Sequence, residues 1–585
     1  MTDVQIKQFR QILFWPLEIE KLSARVGQQE SELRIHEFET HFTKERKWKR
    51  QPNLLSRTEE KRLEDPSAPD AAKEAESAEL LYFLPAVRRF LYGPGPTVEL
   101  GDEGSETEFP PPLRLYCRDD IKKASVALMV DAYHCTINLG IDRVHFYLFQ
   151  HGVALLVIEV SAENLALSQA EEFLDSFRHA YPPYWETKSR VAGHCLERVR
   201  WNDYSNAKGS HFDCTVHFRN FAVRHKSPLP FEHWQYLLQP LVPWQTGLPP
   251  KAMAYRQVEG EGMPFMAYLA VDDPGLLTRA NFVRLGFADG TGDPAHLPYS
   301  EESLQGFDRL HCHDKYWDPK MKYVEDASIV NLAHNWMTTR YLCCGNGFVM
   351  IGKDRQDFFA DRKNGELARF RRHYFQMGLL AHYQRAALSL LSDALAEAAA
   401  KLPLHDPEPF RTEVHQILER FYQFTHQAWF REVSQQRHAQ ALFSLWTRQL
   451  ENQLRFDQLS QAALHASQLL LMQDRHHQAT VTTRLAVVAT VGLAGGLVGI
   501  YLAVDWVKVF GLAGSSLAAI SGDGRFAGVV ALSAVAIIAL AVWQSELLAQ
   551  ALNDFSLSGA RFYERSKNLY GRMVAKTQSY FQQGR

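Results

Sequence analysis

The chain lacks the short motifs that mark the common enzyme classes. It has no Gly-rich phosphate loop, no His-Glu-x-x-His pair and no nucleophile elbow. It also lacks an excess of positive charge, since its formal net charge is −3. A nucleic-acid partner usually calls for a basic surface. The sequence therefore predicts a protein that is not an enzyme and does not bind nucleic acid.

One long stretch has none of the residues that break helices. The chain contains 26 Pro and 34 Gly, but Phe410 to Val491 contains neither. In a helix interior, Pro and Gly cost roughly 3 and 1 kcal/mol relative to Ala. Apolar residues in this stretch recur at steps of three and four, which is the spacing of one helical face. We therefore expect a single, very long amphipathic helix.

A second helical pattern precedes it. Residues 366–402 have apolar side chains at helical spacing, Tyr374 among them, and Pro403, Pro407 and Pro409 then force a turn. The two helices predict a hairpin and stalk over residues 366–484. Such a stalk is marginal alone, so its apolar stripe is expected to pack against further copies of the chain.

Two uncharged runs follow the stalk. Leu485 to Val504 carries no charge, and at about 1.5 Å per residue it is long enough to cross a hydrocarbon core of roughly 30 Å. A second run begins at Phe526. We predict transmembrane helices at 485–504 and 526–546, joined by an external loop at 505–525. Arg and Lys flanking the spans place both termini, including a tail at 547–585, on the cytoplasmic side of an inner membrane. The alternative is a buried hairpin in a soluble protein.

The rest of the chain divides in two. Residues 1–79 are predicted to form a charged, partly disordered arm, because Thr43 to Glu79 has few residues able to build a core. Residues 80–361 have a mixed pattern of strands and helices and predict a cytoplasmic α/β domain. Strand signals include a hairpin around His151-Gly152, a run at Phe265–Val271, and a buried strand pair that contains Cys343-Cys344 as inert thiols.

This order of elements resembles the CorA-type magnesium transporter family. The string Gly499-Ile500-Tyr501 matches the start of the family's motif at the outer end of the first span, but Leu502-Ala503-Val504 replaces its Gly-Met-Asn. The resemblance implies a homo-oligomer, expected to be a pentamer, whose first spans line a central pore. It also implies Mg²⁺ or another divalent cation as the transported ion. The missing motif implies atypical selectivity.

The pore residues follow from the resemblance and from helix periodicity. Asp505 is the nearest polar substitute for the family's Asn, and its copies would form a cation-attracting ring; the alternative is a helix-terminal Asp at the water interface. The predicted lining consists of Val504, Tyr501 or its neighbour Leu502, Val498, Gly495 or its neighbour Ala494, Val491 and Val487. This apolar lining suits a hydrophobic gate or a bundle that conducts nothing.

Small and charged residues in the first span have their own expected roles. Gly492, Gly496 and Gly499 are predicted to let helices approach closely, with a gating hinge as the alternative. Arg484 marks the inner mouth, where it would either face the pore or extend to lipid phosphates.

One cluster outside the spans has metal-binding side chains. His311, His313, Asp314 and Asp318 are good ligand types, although adjacent residues cannot all reach one tetrahedral ion. They are therefore weak metal candidates, and the alternative is that they bind none.

Three functions remain open from the sequence. The first is a CorA-like membrane ion channel or transporter, with the lipid bilayer and copies of itself as partners. The second is a membrane effector pore whose enlarged α/β domain binds a gating nucleotide, small molecule or protein. The third is a non-conducting membrane scaffold.

Overall fold

A computed structural model gives the structure of the chain. It describes residues 4–23, 28–44, 47–51, 81–93, 113–130, 133–149, 152–181, 196–203, 210–215, 229–244, 253–258, 260, 262–290, 297, 299–300, 301–313, 339–354, 357–362, 365–400, 408–472 and 492. The chain divides after Leu464. The first unit, Met1–Leu464, contains every element described below except the end of the last helix.

The described part of this unit is built on one mixed sheet of 13 strands. The strands are β1 Gln5–Ile19, β2 Lys49–Gln51, β3 Leu113–Cys117, β4 Ile121–Val130, β5 Tyr133–Phe149, β6 Val153–Ala166, β7 Arg198–Asp203, β8 Ser210–Thr215, β9 Val242–Pro243, β10 Ala254–Gln257, β11 Phe265–Val271, β12 Arg340–Cys344 and β13 Gly347–Lys353. The main order is β12-β13-β11-β1-β6-β5-β4-β7-β8. β11 and β13 run parallel, and the other pairs along this order are antiparallel.

Strand β1 is the centre of this sheet. It pairs with β6 from Gln5 to Glu18, and its other edge pairs with β11 and then β10. Almost all of it is buried, because both faces are covered. β1 falls in the range 1–79 assigned to a charged arm, and it lies instead in the core of the sheet. Residues 52–79 of that range lie outside the described part.

Helices cover the two faces of the sheet. They are α1 Glu20–Ser23, α2 Gln28–Thr43, α3 Pro85–Tyr92, α4 Leu167–Ser176, α5 Glu232–Leu238, α6 Arg279–Phe287, α7 Glu301–Gln305, α8 Phe307–His311, α9 Asp357–Ala360, α10 Glu366–Arg369, α11 Phe375–Ala400, α12 Glu408–Gln427, α13 Arg437–Gln449 and α14 at 452–472. Alternation along β1 directs Phe9 to Phe173 of α4, and Phe14 to Phe375 of α11. The sheet therefore lies between two layers of helix.

Several local predictions are confirmed. The hairpin around His151-Gly152 joins β5 and β6, and β11 matches the predicted run at both ends. The predicted strand pair is β12 and β13, and Cys343 and Cys344 are buried in it. Burial raises the pKa of both thiols, which fits inert cysteines.

The single long helix is wrong. Helix α12 ends at Gln427, α13 starts at Arg437, and Glu451 then adopts a left-handed φ of 57° before α14 begins. Between α12 and α13 the chain is held by tertiary hydrogen bonds, since Gln384 donates to the carbonyls of Ala428 and Phe430. Helix propensity is weak compared with such contacts, so a stretch without Pro or Gly can still leave the helix.

The CorA-like fold class, which depended on that long helix, is also wrong. The described fold is the large mixed sheet with its helices, and no uninterrupted stalk leads out of it. Among the residues that the structure describes, no helix has the length and apolar character needed to cross a bilayer. The predicted spans 485–504 and 526–546, with the loop 505–525 and the tail 547–585, fall outside those residues except for Gly492. The membrane-channel class and the inner-membrane localisation are withdrawn with the fold that implied them.

A buried ion cluster anchors α10 and α11 to the sheet. The segment between them, Phe370–Tyr374, is a π-helix. Within it, Arg371 Nε donates to Glu159 Oε1 at 2.6 Å, and Glu159 on β6 is fully buried. Arg10 Nη1 reaches the same oxygen at 3.2 Å, and Arg143 Nη2 lies 3.1 Å from Oε2. The three guanidinium groups outweigh the effect of burial and hold the pKa of Glu159 far below its usual range.

Candidate functional site at a histidine pair

A chain of polar side chains runs from the interior to the surface beside β12. It starts at Glu366 on α10, which is buried, and it passes through Tyr341 and Tyr374 to His438 and His313. β12 is the last strand in the main order of the sheet, and Cys312 forms an antiparallel bridge with Leu342 along its open side. The backbone N–H of His313 donates to the carbonyl of Tyr341 at 3.0 Å. This pairing fixes His313 over the end of the polar chain.

The π-helix places Tyr374 in this chain. A π turn inserts an extra residue into a helix, and such turns are frequent at functional sites. Here the turn sends Arg371 to Glu159 and Tyr374 to Glu366, so two buried carboxylates hold the same segment. Helix α13 supplies His438 from the other side, because the break after α12 brings its first turn against Tyr374.

The two tyrosines act as donors to Glu366. The hydroxyls of Tyr341 and Tyr374 lie 3.0 and 3.1 Å from Glu366 Oε2. Burial, and then the nearby Glu366 carboxylate, raise the pKa of both phenols well above the usual value. They therefore stay protonated at neutral pH. Arg369 Nη1 occupies the other oxygen of Glu366 at 2.7 Å.

This arrangement fixes the tautomer of His438. The hydroxyl of Tyr374 lies 3.1 Å from His438 Nε2. Because that hydroxyl gives its only proton to Glu366, it accepts from His438, and the imidazole proton sits on Nε2. Burial, and then Arg369, lower the pKa of His438, so its ring stays neutral. The lone pair of Nδ1 is thus directed at His313.

The imidazole of His313 lies next to the Nδ1 lone pair of His438. His313 Nε2 lies 3.2 Å from His438 Nδ1, and the two ring centroids are 5.0 Å apart. His313 is half-buried, and His438 is partly exposed although burial of its ring lowers its pKa. Zn–N bonds of about 2.0–2.1 Å at tetrahedral angles separate two ligand nitrogens by about 3.3 Å. The pair has the spacing of two ligands on one ion.

The cluster predicted from sequence is brought together only in part. His311 turns away from the pair, since its Nδ1 donates to the carbonyl of Cys343 at 3.0 Å and its ring packs on Phe307. Asp314 and Asp318 lie outside the described residues. Within the described ranges, no three His, Cys, Asp or Glu side chains converge as a metal cluster.

The predicted pore residues cannot be placed in this site. Arg484, Val487, Val491, Gly495, Gly496, Val498, Gly499, Tyr501, Val504 and Asp505 all lie outside the described residues. Gly492 is described and is helical.

Sequence reasoning missed four members of the site: Tyr341, Glu366, Tyr374 and His438. The helical spacing places Tyr374 in an apolar stripe and His438 in the predicted stalk. No rule of sequence spacing predicts that residues as far apart as Tyr341 and His438 lie together. A comparison with protein-family models finds none that matches this chain, and a comparison with curated proteins finds no match either.

Proposed function

We propose that the unit Met1–Leu464 is a metal-binding module that holds a transition-metal dication, with Zn²⁺ the best fit. His313 Nε2 and His438 Nδ1 supply two ligands, and solvent or a bound molecule completes the shell. The observation that carries the proposal is their 3.2 Å separation, with the His438 lone pair fixed toward His313. Imidazole is a preferred ligand for Zn²⁺.

The residues behind His438 support the same proposal. Metal-binding histidines usually donate their second ring N–H to a carboxylate or another fixed acceptor, which sets the tautomer. Tyr374 is that acceptor here, and Glu366 holds it. Of the weak metal candidates predicted from the sequence, the proposal uses His313 alone. The homo-oligomer expected from the apolar stalk stays a prediction.

Metal titration of the full-length protein tests the proposal. We expect one Zn²⁺ per chain by calorimetry, and a Co²⁺ complex whose visible absorption reports nitrogen ligands. His438→Gln and His313→Gln should each abolish both signals. His311→Gln is the matched control and should change neither, because its ring faces Cys343. Loss of metal in His311→Gln but not in His438→Gln would instead support the cluster of adjacent residues predicted from sequence. Two imidazoles that only share a hydrogen bond would give no titration at all.

A further inference from the structure

One short segment lies along the open side of β12. This segment, Phe307–His313, consists of α8 and the two residues after it, and we call it the strap. Cys312 forms an antiparallel bridge with Leu342, and the N–H of His313 donates to the carbonyl of Tyr341 at 3.0 Å. The strap therefore covers an edge of the last strand in the main order of the sheet.

The strap has little buried surface. Phe307 at its start is buried and packs on Phe287 of α6, with ring centroids 5.9 Å apart. Asp308, Arg309 and Leu310 are exposed, and the last three residues of the strap are half-buried. Segments with few buried apolar contacts open locally at a lower free-energy cost than the rest of a fold. The strap can therefore open from its last residue while the sheet stays folded.

Two polar contacts also hold the strap, and both involve exposed acceptors. Arg340 Nη2 donates to Asp308 Oδ1 at 2.7 Å, and Gln449 Nε2 donates to the carbonyl of Leu310 at 2.9 Å. Because water competes for exposed acceptors, contacts of this kind contribute little net stability. They slow the opening of the strap without preventing it.

The histidine pair lies at the end of the strap that opens most easily. His313 is the last residue of the strap, and His438 is in the first turn of α13, 125 residues later in the chain. Because the bond to Tyr341 positions His313, the two imidazoles come within 3.2 Å only while the strap lies on β12. A metal ion that needs both ring nitrogens binds this closed state and not the open one. A ligand that binds one state alone stabilises that state by mass action.

We infer that the metal is a removable clasp that holds the strap on β12. This inference rests on the proposed function, since it needs Zn²⁺ bound to His313 and His438. With the ion bound, two coordination bonds join the histidines; without it, the histidines share a hydrogen bond between partly exposed rings. Metal occupancy thereby sets how often the edge of β12 is uncovered. The strap is thus a regulatory element that responds to the supply of metal.

Hydrogen exchange of the full-length protein, followed by mass spectrometry with and without Zn²⁺, tests the inference. Without metal, the amides of the strap should exchange faster than those of the central strand β11, because the strap opens locally. With free Zn²⁺ at about 100 times its Kd, exchange in the strap should slow by about 100-fold. Exchange in β8 should not change, because this strand lies at the opposite end of the main order from β12 and opens without disturbing the histidines.

Two variants separate the clasp from other effects of Zn²⁺. His438→Gln removes the ligand on α13 and leaves every residue of the strap in place, so its strap should exchange like that of the metal-free parent at any Zn²⁺ concentration. His415→Gln is the matched control, because His415 is an exposed histidine on α12, and its strap should respond to Zn²⁺ as the parent does.

The failure of the inference can be told apart from the failure of the proposed function. If calorimetry shows no Zn²⁺ binding, both are overturned. If Zn²⁺ binds and exchange in the strap does not slow, or slows equally in β8, the inference alone is overturned. The same holds if the metal-free strap already exchanges as slowly as β11.

Discussion

Replacing Glu159 by Gln removes the one carboxylate shared by Arg10, Arg143 and Arg371. Two of these guanidinium groups are almost fully buried, with side-chain exposures of 9% for Arg10 and 4% for Arg143. Asp142, at 2.8 Å from Arg10, would be the nearest remaining counter-charge. Breaking a buried ion pair on one side costs roughly 3–5 kcal/mol, because the partner charge is left without compensation. We expect Glu159→Gln to lower the free energy of unfolding by that amount.

Urea unfolding of the full-length protein measures this loss. Fully buried Trp15 and Trp446 lie on opposite faces of the sheet and report through tryptophan fluorescence. The midpoint should fall by on the order of 1 M or more. Glu163→Gln is the matched control, since Glu163 is exposed on the same strand β6, and its midpoint should stay close to that of the parent.

The pH dependence gives an independent check. Folding lowers the pKa of Glu159 below the ordinary glutamate value of about 4.5. The stability that the ionised carboxylate contributes is therefore fully present above about pH 4.5, and it is lost as the pH falls toward the lower folded-state pKa. Glu159→Gln should therefore lack this part of the acid-induced loss of stability. If Glu159→Gln matched Glu163→Gln at neutral pH, or lost stability with acid as the parent does, the ion cluster would not be holding the π-helix to the sheet.

Further predictions concern the site and its surroundings. Tyr374→Phe should weaken Zn²⁺ binding by about 10- to 100-fold in calorimetry without abolishing it, because His438 loses the group that orients it. His382→Phe should raise the free energy of unfolding by about 1 kcal/mol at neutral pH, because the buried ring nitrogens of His382 have no partner among the described residues. Burial lowers the pKa of His382 to about 3, so stability rises with pH between about 3 and 6.5, and His382→Phe should remove that rise. Glu451→Gly should leave the urea midpoint unchanged or raise it, because Gly adopts a φ of 57° without strain. As the control, Glu419→Gly inside α12 should lower the free energy of unfolding by about 1 kcal/mol.

The sequence predicts elements whose pattern is local. Phe265–Val271 is a short apolar run between Pro264 and Asp272, and it forms β11 with the same limits. The pair β12 and β13 is predicted for the same reason. These strands are buried on both faces, so the apolar run by itself reports their position.

What the sequence hides depends on partners far away in the chain. In the sequence, β1 is a group of apolar residues next to a charged region. Its central position in the sheet comes from pairing with β6 and β11, which lie more than 100 residues later in the chain. The break at 428–436 has no local marker, since Gln384 and Leu84 provide the hydrogen bonds that hold it. Helical spacing of apolar residues survives across the break because α12 and α13 both pack against the same core. Periodicity therefore could not separate one rod from two helices.

The break itself places the histidine pair. Had the helix continued from Gln427, His438 would lie 11 residues on, about 16 Å farther along the same axis. Instead the carbonyl of Val433 accepts from the N–H of Leu84 at 2.9 Å, and the chain enters α13 with His438 in its first turn against Tyr374. A sequence that kept this stretch helical would lose the histidine pair, so the proposed metal site depends on the nine residues between α12 and α13 as well as on the two histidines.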